Sequence, residues 1–252
     1  MTKKVALIYS GCIKHYDKAF ASIKKHLIEN NKDFDFDIFL TFWDITGKYV
    51  NKKMYSQKEI IDYMDINSKI SNDDIQNVKK IFNTNNIFIE NYEESKPIIL
   101  KKAEELINIY QRDQGRIYGY CSMFYSLYKS YINFIEKSEN NYDITIRLRY
   151  DLVLGTPIYL NKIDINKVIC NQYTNNFGVV NGVVNDWFII TNTHNLKRIS
   201  NLFNVIDTIA KKCIKRYNNK KDAIFAEYLL TTIISDLEID IEFVELFLKI
   251  YR

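Results

Sequence analysis

Apolar and polar positions follow two different periods along this chain, and the switches between them mark out its elements. Val5-Ala-Leu-Ile-Tyr9 is apolar without interruption, the pattern of a strand buried on both faces, and Ser10-Gly11-Cys12 ends it. From His15 to Asn30 the period becomes helical, with Phe20, Ile23 and Leu27 falling on one side. Phe34 to Thr41 predicts a second strand, stopping at Phe42-Trp43-Asp44. Strand, glycine turn, helix, strand is the opening of a doubly wound α/β fold, which binds ligands at the carboxyl ends of its strands. Ser10, Gly11, Lys14, Thr41, Trp43 and Asp44 are therefore expected on a ligand rim.

Residues 45–80 are polar and helix-prone, Asn86–Glu90 predicts a third strand, and Ile98–Arg112 and Tyr118–Lys137 predict helices. The second of these carries Met123, Phe124, Leu127, Tyr128, Tyr131 and Phe134, a stripe best read as core. After Pro157 the pattern loosens until Lys167–Cys170, a short strand. Asn185-Asp186 then leads into the strand Trp187–Ile190. Asn195–Lys215 and Asp222–Ile234 predict helices, and a last apolar stretch runs from Phe243 to Ile250. No repeat, linker or low-complexity tail divides the chain, so a single domain is expected.

The segment carrying most chemistry is Asp143-Ile-Thr-Ile-Arg-Leu-Arg-Tyr-Asp151. As a strand it puts Ile144, Ile146, Leu148 and Tyr150 on one face, and Thr145, Arg147, Arg149 and Asp151 on the other. Guanidiniums and a carboxylate inside a sheet are costly unless paired, metal-bound or facing a charged ligand. Either a polyanion meets them or an internal row of ion pairs does. A strand-end carboxylate can hold Mg²⁺ or Mn²⁺ beside a diphosphate, and arginine grips phosphate oxygens bidentately. Asp186, at the mouth of a strand, suits a general base or a ligand hydroxyl, although Asn-Asp is also ordinary turn chemistry. Glu227 interrupts an apolar helix, which calls for a partner, a role or solvent.

Composition narrows the classes. A hydrophobic content of 47% and an aromatic content of 14% require a folded core. The net charge of +4 is small and well mixed, which argues against a nucleic-acid partner. Cys12, Cys121, Cys170 and Cys213 lack Cys-x-x-Cys spacing, and His15, His26 and His194 lack metal-ligand spacing. A zinc site is not expected, and the cysteines read as reduced thiols of a cytoplasmic protein. The apolar run after Met1 is too short for a signal peptide, and no run reaches the length of about 18 residues needed to span a bilayer. Walker A, Gly-x-Gly-x-x-Gly and Gly-x-Ser-x-Gly patterns are all absent.

Taken in order, several segments resemble a family of GT-A-type glycosyltransferases of bacteria and large DNA viruses, similar to lipopolysaccharide and capsule synthesis proteins. They are Ala6-Leu-Ile-Tyr-Ser-Gly-Cys-Ile-Lys14, Asp37-Ile-Phe-Leu-Thr-Phe-Trp43, Ser122-Met-Phe-Tyr-Ser-Leu-Tyr-Lys129, Tyr142–Asp151, Asn185-Asp186-Trp-Phe188 and Ala226-Glu227. The resemblance implies a single GT-A-like (Rossmann-like) α/β domain with a mixed, mostly parallel central sheet flanked by helices. Its nucleotide-binding half would cover about residues 1–155 and its acceptor half about 156–252. It further implies transfer of a sugar from a nucleotide-sugar donor to a hydroxyl acceptor such as a glycan or polysaccharide precursor. Ser10, Gly11, Lys14, Trp43, Arg147, Arg149 and Asp151 would bind the donor. Asp151 would be the ligand of Mn²⁺ or Mg²⁺, and Asp186 and Glu227 the catalytic carboxylates. Arg149 stands where the family's Asp-x-Asp motif has its first acid. For a viral member the compartment would be the host cytoplasm. Two rival readings are a non-catalytic nucleotide-sugar or glycan-binding module and a nucleotidyltransferase; the latter needs a closer pair of acids than Arg149-x-Asp151 supplies.

Overall fold

The computed structural model describes residues 2–46, 68–111, 116–138, 141–175, 178–218 and 225–250. Most of the helix-prone stretch 45–80 lies outside these, as do Arg112 and the Asp222 start of a predicted helix. The strands are β1 (Lys3–Gly11), β2 (Phe34–Trp43), β3 (Ile87–Glu90), β4 (Ile144–Leu148), β5 (Leu152–Leu154), β6 (Val168–Cys170), β7 (Gln172–Asn175), β8 (Gly178–Val184), β9 (Phe188–Thr191), β10 (Ile241–Phe243) and β11 (Leu248–Ile250). A seven-stranded sheet has the order β10-β6-β9-β4-β1-β2-β3. Within it β3, β2, β1 and β4 run parallel, β9 opposes β4 and β6, and β10 is parallel to β6. The expected α/β class, with a mixed and mostly parallel sheet between helices, is the architecture found.

β1 lies inside the sheet, between β4 and β2, because it can bury both faces. Val5, Leu7 and Tyr9 pack with Ile144, Ile146 and Leu148 and with Phe20, Ile23 and Leu27. The last three lie on helix α1 (Tyr16–Ile23) and the π-helical turn Lys24–Ile28 that prolongs it. Ala6 and Ile8 face the other side, against Leu127, Tyr131 and Ile135. Those residues come from helix α4 (Arg116–Ser130) and its π-helical extension Tyr131–Glu136, so the aromatic stripe is core, as its spacing implied. The alternation read for β4 holds as well: Ile144, Ile146, Leu148 and Tyr150 share one apolar cluster.

Local rules explain where the sequence pattern misplaced boundaries. Helix α2 (Asn72–Phe82) starts at a capping box between Ser71 and Asp74. Helix α3 (Tyr92–Tyr110) begins well before Ile98, despite Pro97, because Asn91 accepts from the amides of Glu93 and Glu94 and Asp44 Oδ1 accepts from that of Tyr92 at 2.9 Å. The helix expected over Asn195–Lys215 is two, α5 (Thr193–Ser200) and α6 (Ile206–Tyr217), separated by a 3₁₀ turn at Asn201–Phe203. Asn204 closes that turn by donating to Asn201 Oδ1 at 2.8 Å. Helix α7 spans Ala226–Asp236. The β7–β8 hairpin escapes the pattern because β7 is four mostly polar residues and Asn181-Gly182 interrupts the valines of β8. The apolar tail splits, with β10 pairing to β6 and β11 to β5. Among the described residues no helix is long and apolar enough to cross a membrane.

One buried side chain ties the end of the α1 unit to the segment after β5. Asn31 Nδ2 donates to the carbonyls of Leu27 and Ile158 at 2.7 Å each, and its Oδ1 accepts from the amide of Leu160 at 2.7 Å. Asn31→Ala orphans these groups, and we expect a loss of roughly 3 kcal/mol of unfolding free energy, measured by urea denaturation. A change within ±0.5 kcal/mol would show that water replaces the side chain at no cost.

Candidate functional site

From β1 the chain moves to β2 and β3 on one side of the sheet, then returns to β4 on the other. The gap beyond the carboxyl ends of β1 and β4 is thus a topological switch point, where open α/β sheets bind ligands. A cavity of about 370 Å³ lies there. Ser10, Gly11, Cys12 and Lys14 form its wall after β1. Gly11 has φ +118°, a backbone conformation side chains rarely allow, so glycine is required where the strand turns into the rim.

The opposite wall is the segment read as a charged strand. β4 stops at Leu148, short of Asp151, and Arg149, Tyr150 and Asp151 form a turn into β5. The turn closes because the Leu152 amide donates to the Arg149 carbonyl at 3.3 Å. It is anchored by the buried Tyr150 hydroxyl, which donates to the carbonyls of Thr41 (3.2 Å) and Tyr9 (3.4 Å). Arg149 Nε and Nη2 donate to Asp151 Oδ1 and Oδ2 at 3.0 and 3.1 Å, a bidentate pair. Burial pulls the Arg149 guanidinium down, but Asp151 and Asp186 outweigh it and the net shift is upward. Asp151 is buried, whereas the Arg149 side chain keeps 30% of its surface accessible.

Arg147 is the extreme group. It is 2% exposed, lines the cavity, and its Nε has no hydrogen-bond partner. Burial lowers its pKa to about 10, against the pull of Asp186. Ser10 Oγ, also on the wall, is likewise buried without a partner. Unmet buried donors cost free energy, and two of them facing one cavity mark a place shaped for a polar ligand.

Asp186 reaches the same cavity because Asn185 takes the turn's work: Asn185 Oδ1 accepts from the Trp187 amide at 2.9 Å. Glu227, in the first turn of α7, is not on the cavity wall but feels the charge of Asp186. That helix is fixed to the end of β8 by Thr231 Oγ1, which accepts from the Val184 amide at 2.9 Å. Burial first, then the charge of Asp186, raise the Glu227 pKa to about 8, against its own backbone N–H, Arg116 and Arg149. Sequence reasoning missed Arg116 and Tyr120. Both line the cavity from the start of α4, and the Arg116–Tyr120 hydrogen bond and Glu227 both act on the Tyr120 hydroxyl, whose pKa burial raises. Arg116 lies between two predicted helices, so no period singled it out.

Not every rim residue faces the cavity. Asp44 caps α3 and pairs with Lys69, and Thr41 is buried beneath, its carbonyl engaged by Tyr150. Trp43 does line the wall, but it is 1% exposed and stacked on Tyr125 with ring centroids 5.9 Å apart. A divalent ion fits poorly. Both Asp151 oxygens are taken by Arg149, and among the described residues no group of three or more His, Cys, Asp or Glu side chains could hold a metal. Mg²⁺ and Mn²⁺ can be held by one or two carboxylates beside a phosphate, but those carboxylates need open oxygens, and both of Asp151's are engaged.

No family model and no curated protein matches the sequence. Among solved structures, the chain is similar to the apo form of mouse xyloside xylosyltransferase 1. That match covers 96% of this chain and 85% of the mouse protein, at 10% identity and a TM-score of 0.46. It is the cavity, not this likeness, that bears on function.

The Glu227 carboxyl also makes stability depend on pH. Its folded pKa, about 8, lies above the ordinary 4.5, so the folded chain holds a proton that the unfolded chain releases. We expect its contribution to be full below pH 4.5 and to fall away as pH rises to about 8. Urea denaturation across that window should show a shallower decline for Glu227→Gln than for the wild type. Parallel curves would mean that Glu227 titrates normally.

Proposed function

We propose that this chain is a glycosyltransferase of GT-A-like architecture that moves a sugar from a nucleotide-sugar donor to a hydroxyl acceptor. The observation that carries the proposal is the convergence, at the β1–β4 switch point, of cationic groups and a carboxylate on one cavity. Lys14, Arg116, Arg147 and Arg149 supply the first, and Asp186 the second. Residues 1–155 are assigned the donor half, with Ser10, Gly11 and Trp43 lining the pocket, and residues 156–252 the acceptor half, which brings Asp186 and Glu227.

In the reaction, the acceptor oxygen bonds to the anomeric carbon while the bond from that carbon to the diphosphate breaks. The electron pair leaves on the diphosphate, whose growing charge meets preorganised guanidiniums. Arginine is suited to this because its planar fork matches two phosphate oxygens at once. The proton released by the acceptor goes to Asp186. At neutral pH Glu227, its pKa raised to about 8, is held protonated, which leaves the proton-accepting role to Asp186 in this reading.

Incubation with UDP-, GDP-, CMP- and dTDP-sugars, followed by chromatography, tests the proposal. We expect slow hydrolysis of one donor, and a rise in melting temperature with that donor alone. Asp186→Asn should cut turnover by about 10²-fold or more while leaving that thermal shift in place. Absence of both hydrolysis and thermal shift for all four donors would overturn the assignment.

A further inference from the structure

Resting on that reading, the geometry points to a donor diphosphate bound without a divalent cation: Arg147 and Arg149 take the ion's place, and Asp151 positions Arg149. The Asp151 side chain is 4% exposed, and both its oxygens accept from Arg149 Nε and Nη2. A cation bound to that carboxylate would have to break a bidentate ion pair, or sit beside a guanidinium of like charge. The pair uses one edge of the Arg149 fork and leaves its other N–H groups for a ligand. Arg147 adds the second half of the argument. A guanidinium 2% exposed, on a cavity wall, feels the charge of Asp186 but keeps Nε unpartnered, a donor left for an anionic ligand. Ser10 Oγ offers a further unpaired hydroxyl on the same wall.

Charge balance gives the same direction. The Arg149–Asp151 pair is neutral as a unit and Asp186 offsets Arg147, so Lys14 and Arg116 leave the cavity wall with net positive charge. A diphosphate neutralises that charge directly. A diphosphate arriving with Mn²⁺ would bring a second source of positive charge and find the Asp151 carboxylate already engaged by Arg149.

Calorimetric titration of UDP, GDP and dTDP into the full chain, in EDTA and in Mn²⁺, decides the matter. For the nucleotide that binds, we expect affinities within about twofold of each other in the two buffers. Arg149→Gln should weaken binding about tenfold in both, and Asp151→Asn by a similar factor. The double variant should be no weaker than either single, because the carboxylate acts only through the guanidinium; a merely structural Asp151 would give additive losses. If Arg147→Gln fails to fold by circular dichroism, the half-exposed Arg149 variant still settles the outcome.

Binding that requires Mn²⁺, with a nucleotide-dependent change in the Mn²⁺ paramagnetic resonance spectrum that Asp151→Asn removes, overturns metal-free binding and leaves the transferase reading intact. Failure of all three nucleotides in both buffers overturns the diphosphate site, and hydrolysis of a CMP-sugar would then uphold the transferase reading by itself.

Discussion

The structure turns on a charge that the fold buries without pairing its Nε. Arg147 sits on β4, the middle strand of the sheet, where its cross-strand neighbours Ile8 and Ile189 are apolar. Holding a guanidinium there is tolerable because the parallel pairing of β1 and β4 ends in a crevice rather than in packed protein. The pairing register brings Ile8 opposite Arg147, and Tyr9 opposite Leu148. Both strand ends therefore release their loops at the same level, and Gly11 and the Arg149–Asp151 turn face each other across the cavity.

The two walls are stabilised in different ways, which bears on their roles. The Arg149–Asp151 turn is over-determined by the Tyr150 anchor and a bidentate ion pair, so its charges are preorganised before any ligand arrives. The carboxylates come from the other half of the chain, Asp186 from the turn before β9 and Glu227 from the first turn of α7. With the guanidiniums on one wall and the acids on a separate turn and helix, the proposed leaving-group stabilisation and proton transfer can be altered separately.

Much of this was legible in the sequence, for identifiable reasons. An uninterrupted apolar run marks a strand buried on both faces, so β1 and its glycine turn were visible, as was the alternation across β4. Asp186, Arg147, Arg149 and Asp151 stood out as polar groups placed where packing does not explain them. Long-range contacts were not legible. That Asp44 would cap α3, that Arg149 would occupy both oxygens of Asp151, and that Arg116 would reach the cavity all depend on segments distant in the chain or on turn geometry. The metal reading of a lone carboxylate at a strand end did not foresee that ion pair, because periodicity says which face a side chain takes and not what it meets there.

The most direct test is a crystal structure of the protein with a nucleoside diphosphate bound. The account predicts phosphate oxygens within about 3 Å of Arg147 and Arg149 nitrogens in the crevice between β1 and β4, with the Arg149–Asp151 pair intact. A nucleotide seated elsewhere, or one whose phosphates avoid both guanidiniums, would contradict it.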